Sequence, residues 1–304
     1  MTSTWSVYSM VKDRRSVLDR FVQHHLSIGA SYVHLFFDDP DDPQYAHFAN
    51  QPGVIAVRCD ASHWADNMIR RPRLQEKRQL ANGQLAYDKC LTDWQAHVDS
   101  DELLVPGNQS NMRELLWQVD PNCPAALFEP IEPLHGKKNE YGHTPFRRSV
   151  QDLNRRQRHR LYGDDNMFLR RGLLGHFHGK SMLRSGLKGW SHGIHVPLPP
   201  ADAELLIHPM ETSRLAHMHC EDKGDWIART QRRTSDARRA LSMGKYGLVD
   251  KLHQHHDDPD QRLSTEQLLS DLFDRVNCLS DTLKWRLERF GLLEYHSIPP
   301  LPKT

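Results

Sequence analysis

The segment Trp94-Gln-Ala-His-Val-Asp-Ser-Asp-Glu-Leu-Leu-Val-Pro106 has the residue types and spacing best suited to chemistry. An apolar run broken by Gln95 and His97 arrives at three acids, Asp99, Asp101 and Glu102. Two carboxylates at i and i+2 on a turn can face one divalent cation. Their hard oxygens suit Mg2+ or Mn2+, ions that commonly hold substrate phosphates. The plainer reading is a polar turn after a strand, because Asp and Ser are ordinary turn residues. A second acidic turn, Asp38-Asp-Pro-Asp-Asp-Pro43, occurs earlier. Further on, Lys180 and Arg184 follow Gly175-His-Phe-His-Gly179. Both can donate charge-assisted hydrogen bonds to phosphate oxygens, and both also fit ordinary surface charge.

These groups need elements to position them. Trp5–Val11 reads as a strand, the spacing of Val17, Leu18, Phe21, Val22 and Leu26 as a helix stopped by Gly29, and Tyr32–Phe37 as a second strand. A short helix over Tyr45–Asn50, a strand over Val54–Val57, a long helix from about Leu74 to Cys90 and a strand over Trp94–Val98 follow. Strands alternating with helices predict a doubly wound parallel α/β sheet, whose ligands bind beyond the carboxyl ends of the strands. Both acidic turns follow strands, so both are expected at one sheet edge. A short helix over Asn111–Val119 and a strand over Ala125–Phe128 come next. Residues Glu129–Arg160 read as a loop rich in Pro, Gly and Arg. That run is either a solvated surface or a lid over an anionic ligand. From Asp222 the chain reads as helical through Trp226, Ile227 and Arg239; Asp257–Asp260 reads as a linker, and a last helix runs from about Ser264 to Phe290. The expected division is a domain over residues 1–220 and a C-terminal helical extension over 221–304.

The 304 residues carry a net charge of +1, which disfavours a strongly electrostatic nucleic-acid binder. No apolar run approaches a membrane span, and Met1–Trp5 does not read as the start of a signal peptide. Five scattered cysteines without a CxxC pair predict reduced thiols and a cytoplasmic protein.

Four segments together resemble bacterial family 2-type glycosyltransferases, in the branch with a Val-Asp-x-Asp-Glu signature related to family 92. They are Met10-Val-Lys-Asp13 with His24–Gly29, Phe36–Asp42, Gln84–Trp94 with His97–Val105, and Gly179-Lys-Ser with Arg184 and His217-Met-His219. The similarity covers about residues 5–235. Asp13-Arg14, Asp39-Pro40 and Leu103 depart from the family pattern.

The resemblance implies a GT-A-like fold binding a nucleotide-sugar, with a UDP-sugar favoured, and Mn2+ or Mg2+ as cofactor. Asp99 and Asp101 would hold the ion, with Asp101 the stronger candidate and His217 or His219 supplying a further ligand. Lys12, Asp38, Asp99, Lys180 and Arg184 would contact the donor, Asp38 at its nucleoside end. An inverting transferase also needs a carboxylate base. Glu129, Glu132 and Glu140 form one candidate set, and Asp164 and Asp165 another; Glu102 either orients the metal turn or acts in catalysis. The expected acceptor is a glycan or lipid-linked glycan of surface polysaccharide biosynthesis. No nucleic-acid partner is expected, peripheral membrane association is left open, and the oligomeric state is not read. The alternatives are a nucleotidyl or phosphoryl transferase using the same metal site, and a non-catalytic binding module. The first lacks its usual cradle, because Gly175 is one position too close to Gly179-Lys180-Ser181 for a phosphate loop.

Overall fold

The computed structural model describes residues 2–107, 111–235 and 264–302. The expected helical residue Arg239 and the linker Asp257–Asp260 lie outside the described residues. The chain forms two compact units, one of residues 1–129, 178–215 and 299–304 and the other of 130–177 and 216–298.

In the first unit, β1 (Trp5–Val11), α1 (Arg15–Ser27), β2 (Tyr32–Phe37), α2 (Tyr45–Phe48), β3 (Val54–Arg58), α3 (Ala61–Asp66), α4 (Gln75–Asp88) and β4 (Trp94–His97) follow in order. Every residue of β1 is buried, as a central parallel strand covered on both faces requires. β2 and β4 flank β1, and β3 lies outside β2, all parallel. α1 buries Val17, Leu18, Phe21 and Val22, and Gly29 at φ 102° turns the chain back toward β2. After β5 (Glu102–Val105) and α5 (Met112–Trp117), β6 (Ala125–Pro133) begins in this unit. Its residues Ala125–Phe128 pair antiparallel with β8 (Lys180–Arg184), and β8 pairs antiparallel with β4. The expected α/β sheet is therefore present: its first four strands are parallel, and antiparallel strands extend it.

The second unit takes the end of β6, β7 (Thr144–Arg148), α6 (Arg155–Tyr162), the end of β9 (Ile207–His217), α7 (Lys223–Ser235), two helices over Thr265–Asn277 and Asp281–Arg289, and β10 (Leu293–His296). β10 pairs with β7 and β7 with Ile131–Pro133, all antiparallel. The boundary thus falls away from residue 220. The apolar face of Thr265–Asn277, with Leu269, Leu272, Phe273 and Val276, packs in one cluster with Leu134, Val150, Leu161 and Leu169. Burying each such side chain contributes about 1.5–3 kcal/mol, so residues 130–177 belong with the C-terminal helices. The basic 129–160 stretch also differs from a loop or lid. It contains β7 and α6, with Arg147 fully buried and Arg155, Arg156 and Arg160 exposed on the helix.

Candidate active site

Three neighbouring parallel strands of the first unit end at one edge, each delivering acids. β1 ends at Lys12-Asp13, β2 at Asp38-Asp39 and β4 at Asp99–Glu102. The turns are tied together: Ser100 Oγ donates to Asp13 Oδ2 at 2.8 Å, and Lys12 lies 3.7 Å from Asp39. Within the β4 turn, the Asp99 N–H donates to Glu102 Oε2 at 2.9 Å. Glu102 is fully buried and holds the turn's shape.

The antiparallel run of β8 returns Lys180 to this edge. Its side chain is 1% exposed, and its ammonium lies 2.9 Å from Asp99 Oδ2 and 3.7 Å from Glu102 Oε2. Gln79 of α4 donates to the other Asp99 oxygen at 3.0 Å. Burial opposes the charged form of Lys180, but Glu102, Asp99 and Asp101 outweigh it and raise its pKa above the ordinary value. His97 lies beneath the turn, stacked on Tyr8 at 4.6 Å. Burial pushes its imidazole down to about 3, with Lys180 adding to the effect and Asp99 opposing it, so it is neutral near pH 7. Three carboxylates thus act on this one ammonium. Such a set of oxygen donors fits a hard divalent cation.

Asp38 is enclosed by arginines absent from the sequence-based site. Arg78 donates to both its oxygens at 2.6 Å, and Arg71 donates to Oδ1 at 3.0 Å. Burial raises the Asp38 pKa, but hydrogen bonds and charge from Arg78 and Arg71 bring it below the usual value. No sequence signal marked Gln79, Arg71 or Arg78, which sit in a helix and turn of ordinary basic composition.

Arg184 is elsewhere. It pairs in register with Trp94, at the opposite end of β4. Four strand residues separate it from Lys180, about 13 Å. Its guanidinium lies over the Trp94 ring and donates to the carbonyls of Cys123, Val119 and Asp120. Lys180 and Arg184 lie at opposite ends of β8, so Arg184 is corrected to a structural residue.

Glu132, His217, His219 and Asp165 belong to the second unit. Glu132 is fully buried and accepts from Arg147 Nε and Nη2 at 3.1 and 2.5 Å, Leu174 N at 2.9 Å and Gly175 N at 2.7 Å. That placement makes it a structural acceptor closed to an acceptor hydroxyl, not a base. Asp165 is held by Arg275 at 2.9 Å. Asp164 and Glu140 are exposed. The rings of His217 and His219 lie 4.2 Å apart, with His176 4.6 Å from His217. Gly175 is required beside them, because a Cβ there would meet His217 Cε1 at 2.9 Å and His219 Cε1 at 3.0 Å. Glu132, His219 and Cys220 bring possible ligand atoms within 4.8 Å of one another. Arg147 on the same carboxylate opposes a cation there, and burial with Glu132 pushes the Cys220 thiol up to about 12. Of the base candidates, Glu129 is the one in the first unit. It follows Phe128, the register partner of Lys180, and is half-buried.

No protein-family model and no curated protein matches the chain. Among solved structures, it is similar to GalNAc-T7 with UDP, GalNAc and Mn2+ at 10% identity over 95% of this chain and 57% of that one, TM-score 0.37. It is also similar to a mannosyltransferase from Pyrobaculum calidifontis with GDP-Man and Mn2+, at 11% identity over 96% and 80%, TM-score 0.37. A third is CMP:2-keto-3-deoxy-manno-octonic acid synthetase with CTP, at 14% identity over 60% and 74%, TM-score 0.31. The chain thus spans little more than half the length of the first of these. Overlaps this loose leave the chemistry to be argued from the residues.

Proposed function

We propose that the chain is a divalent-metal-dependent glycosyltransferase that moves a sugar from a nucleotide-sugar, with a UDP-sugar favoured, to a glycan or lipid-linked acceptor. The observation that carries this reading is the set of acids at the ends of three adjacent parallel strands, where the β4 turn gathers three carboxylates around one buried ammonium. Asp101 is the direct ligand we assign to Mn2+ or Mg2+, because it stands two residues beyond Asp99 on the turn that follows β4 and is partly exposed. When bound, the ion would neutralise charge developing on a departing nucleoside diphosphate. Lys180 and Gln79 orient Asp99. Glu102 fixes the turn backbone, and neutral His97 fills the space beneath without adding charge. Asp38, with Arg71 and Arg78, sits where the nucleoside end of the donor would lie. Glu129 is the candidate base, since β6 carries it to the edge reached by Lys180.

A donor-turnover assay with a panel of nucleotide-sugars and Mn2+ tests the reading. Release of the nucleoside diphosphate that ceases in Asp101→Ala supports it. Absence of turnover and binding with every common donor counts against it. Release of inorganic pyrophosphate from a nucleoside triphosphate would assign the same acids to nucleotidyl transfer.

A further inference from the structure

Residues 66–78 of the first unit connect α3 to α4 and hold two apolar side chains where local backbone physics disfavours them. α3 ends with Met68 N donating to Ala65 O and Ile69 N donating to Trp64 O, each at 2.9 Å. This is the paired closure whose left-handed residue is usually glycine. Here that residue is Met68, at φ 55° and 95% exposed. Ile69 packs inward against the cluster containing Trp64 and Tyr8, so the turn is anchored and Met68 faces outward. The next helix, α4, has Leu74 at its N-cap, with no side-chain cap hydrogen bond and 63% exposure. Ser, Thr, Asp or Asn would stabilise that position by accepting an amide N–H. Folding alone explains neither residue.

Between and beside them lie Arg70, Arg73 and Lys77, all exposed. Within residues 66–78 the other charges are Asp66, Arg71, Glu76 and Arg78. Arg71 and Arg78 bind Asp38, and Arg78 Nη1 also donates to the Pro72 and Arg73 carbonyls at 3.2 and 2.8 Å. These bonds fasten the segment, so its exposed apolar and cationic groups stand on a fixed base.

We propose that Met68–Lys77 is a membrane-docking segment for an anionic phospholipid surface. Met68 and Leu74 enter the headgroup–acyl boundary, while Arg70, Arg73 and Lys77 face lipid phosphates. Exposed apolar residues interleaved with cations suit that interface. The segment has no aromatic residue on which a nucleic-acid base could stack, which favours lipid over RNA. This inference is independent of the transferase reading, because lipid binding is measured without turnover.

The test is co-sedimentation of the full chain with phosphatidylcholine vesicles, with and without phosphatidylglycerol, alongside thermal unfolding. The wild type is expected to bind the anionic vesicles selectively. Arg70→Glu, Arg73→Glu and Lys77→Glu are each expected to weaken binding about fivefold or more. Met68→Gly and Leu74→Ser are expected to weaken binding while keeping or raising the melting temperature, a pairing that a folding defect cannot imitate. Equal affinity for both vesicle types, no sedimentation, or variants that bind like the wild type would overturn the proposal. Binding of single-stranded RNA that depends on these residues, without vesicle binding, would also overturn it.

Discussion

Two clusters in this molecule bring carboxylates against a buried cation, and they are built differently. In the second unit, one carboxylate, Glu132, meets one guanidinium, Arg147, both fully buried; two backbone N–H groups also donate to Glu132, and His219 Nε2 lies 3.5 Å from it. Arg147 also donates to the Val276 carbonyl at 2.6 Å, tying β7 to the helix Thr265–Asn277. Charge and hydrogen bonds balance there, which is what architecture requires of a buried ion pair. In the first unit, Asp99, Asp101 and Glu102 gather around the single ammonium of Lys180, and the Asp99 side chain is 35% exposed. That cluster sets three acids against one ammonium, includes a partly exposed carboxylate and lies at the ends of parallel strands. The difference teaches that a buried acid–base contact by itself says little about function. The number of acids per cation and the exposure of Asp99 separate the two cases.

The largest expected effect lies in the closed pair. Arg147→Met should destabilise the fold by about 3–5 kcal/mol, because it strands a buried carboxylate; urea unfolding measures it. A small effect would break the contrast by showing that Glu132 is not structurally held. Lys180→Met should cost about 3 kcal/mol by the same principle, but with a difference that sharpens the comparison. Mn2+ should restore part of the lost stability of Lys180→Met and none of that of Arg147→Met, as read from melting temperatures with and without the ion.

Glu129→Gln should lower kcat about 100-fold or more while nucleotide binding stays unchanged. Equal losses in binding and turnover would remove Glu129 from the role of base. The smallest effect concerns acid stability. Burial pushes His192 down to about 3 from its ordinary 6.5, with His97 adding to the shift. The unfolded chain then takes up the proton first as pH falls, so the contribution is present above 6.5 and is lost toward 3. About 1.4 kcal/mol should disappear between about pH 7.5 and about pH 5.5. His192→Gln should flatten that part of the stability–pH curve; an unchanged curve would mean His192 takes up its proton equally in the folded and unfolded chain.

Much of the first unit was legible because its signals are local. The apolar runs at Trp5–Val11 and Tyr32–Phe37 are the strands β1 and β2; helical spacing marked α1, and a stretch rich in Arg, Lys and Gln after Pro72 marked α4. The acids at Asp38 and Asp99 announced themselves by following strands. The second unit was harder because its partners are distant in sequence. Arg147 reads as surface charge until Glu132, fifteen residues away, is seen to neutralise it. The polar face of α6 hides Leu161 and Tyr162, whose burial depends on helices more than a hundred residues later. Lys180 and Arg184 are a few residues apart and looked equivalent. Only the antiparallel pairing of β8 with β4 shows that one reaches the acid edge and the other does not.

The central claim is that the acids following β4 hold a cation that in turn holds a nucleoside diphosphate. Calorimetric titration of UDP into the protein, with and without Mn2+, in the wild type and Asp101→Asn, tests it most directly. The account predicts UDP binding that requires Mn2+ in the wild type and is lost in Asp101→Asn, although the variant unfolds at an unchanged temperature. UDP binding of equal affinity without the ion, or undiminished in Asp101→Asn, would contradict it.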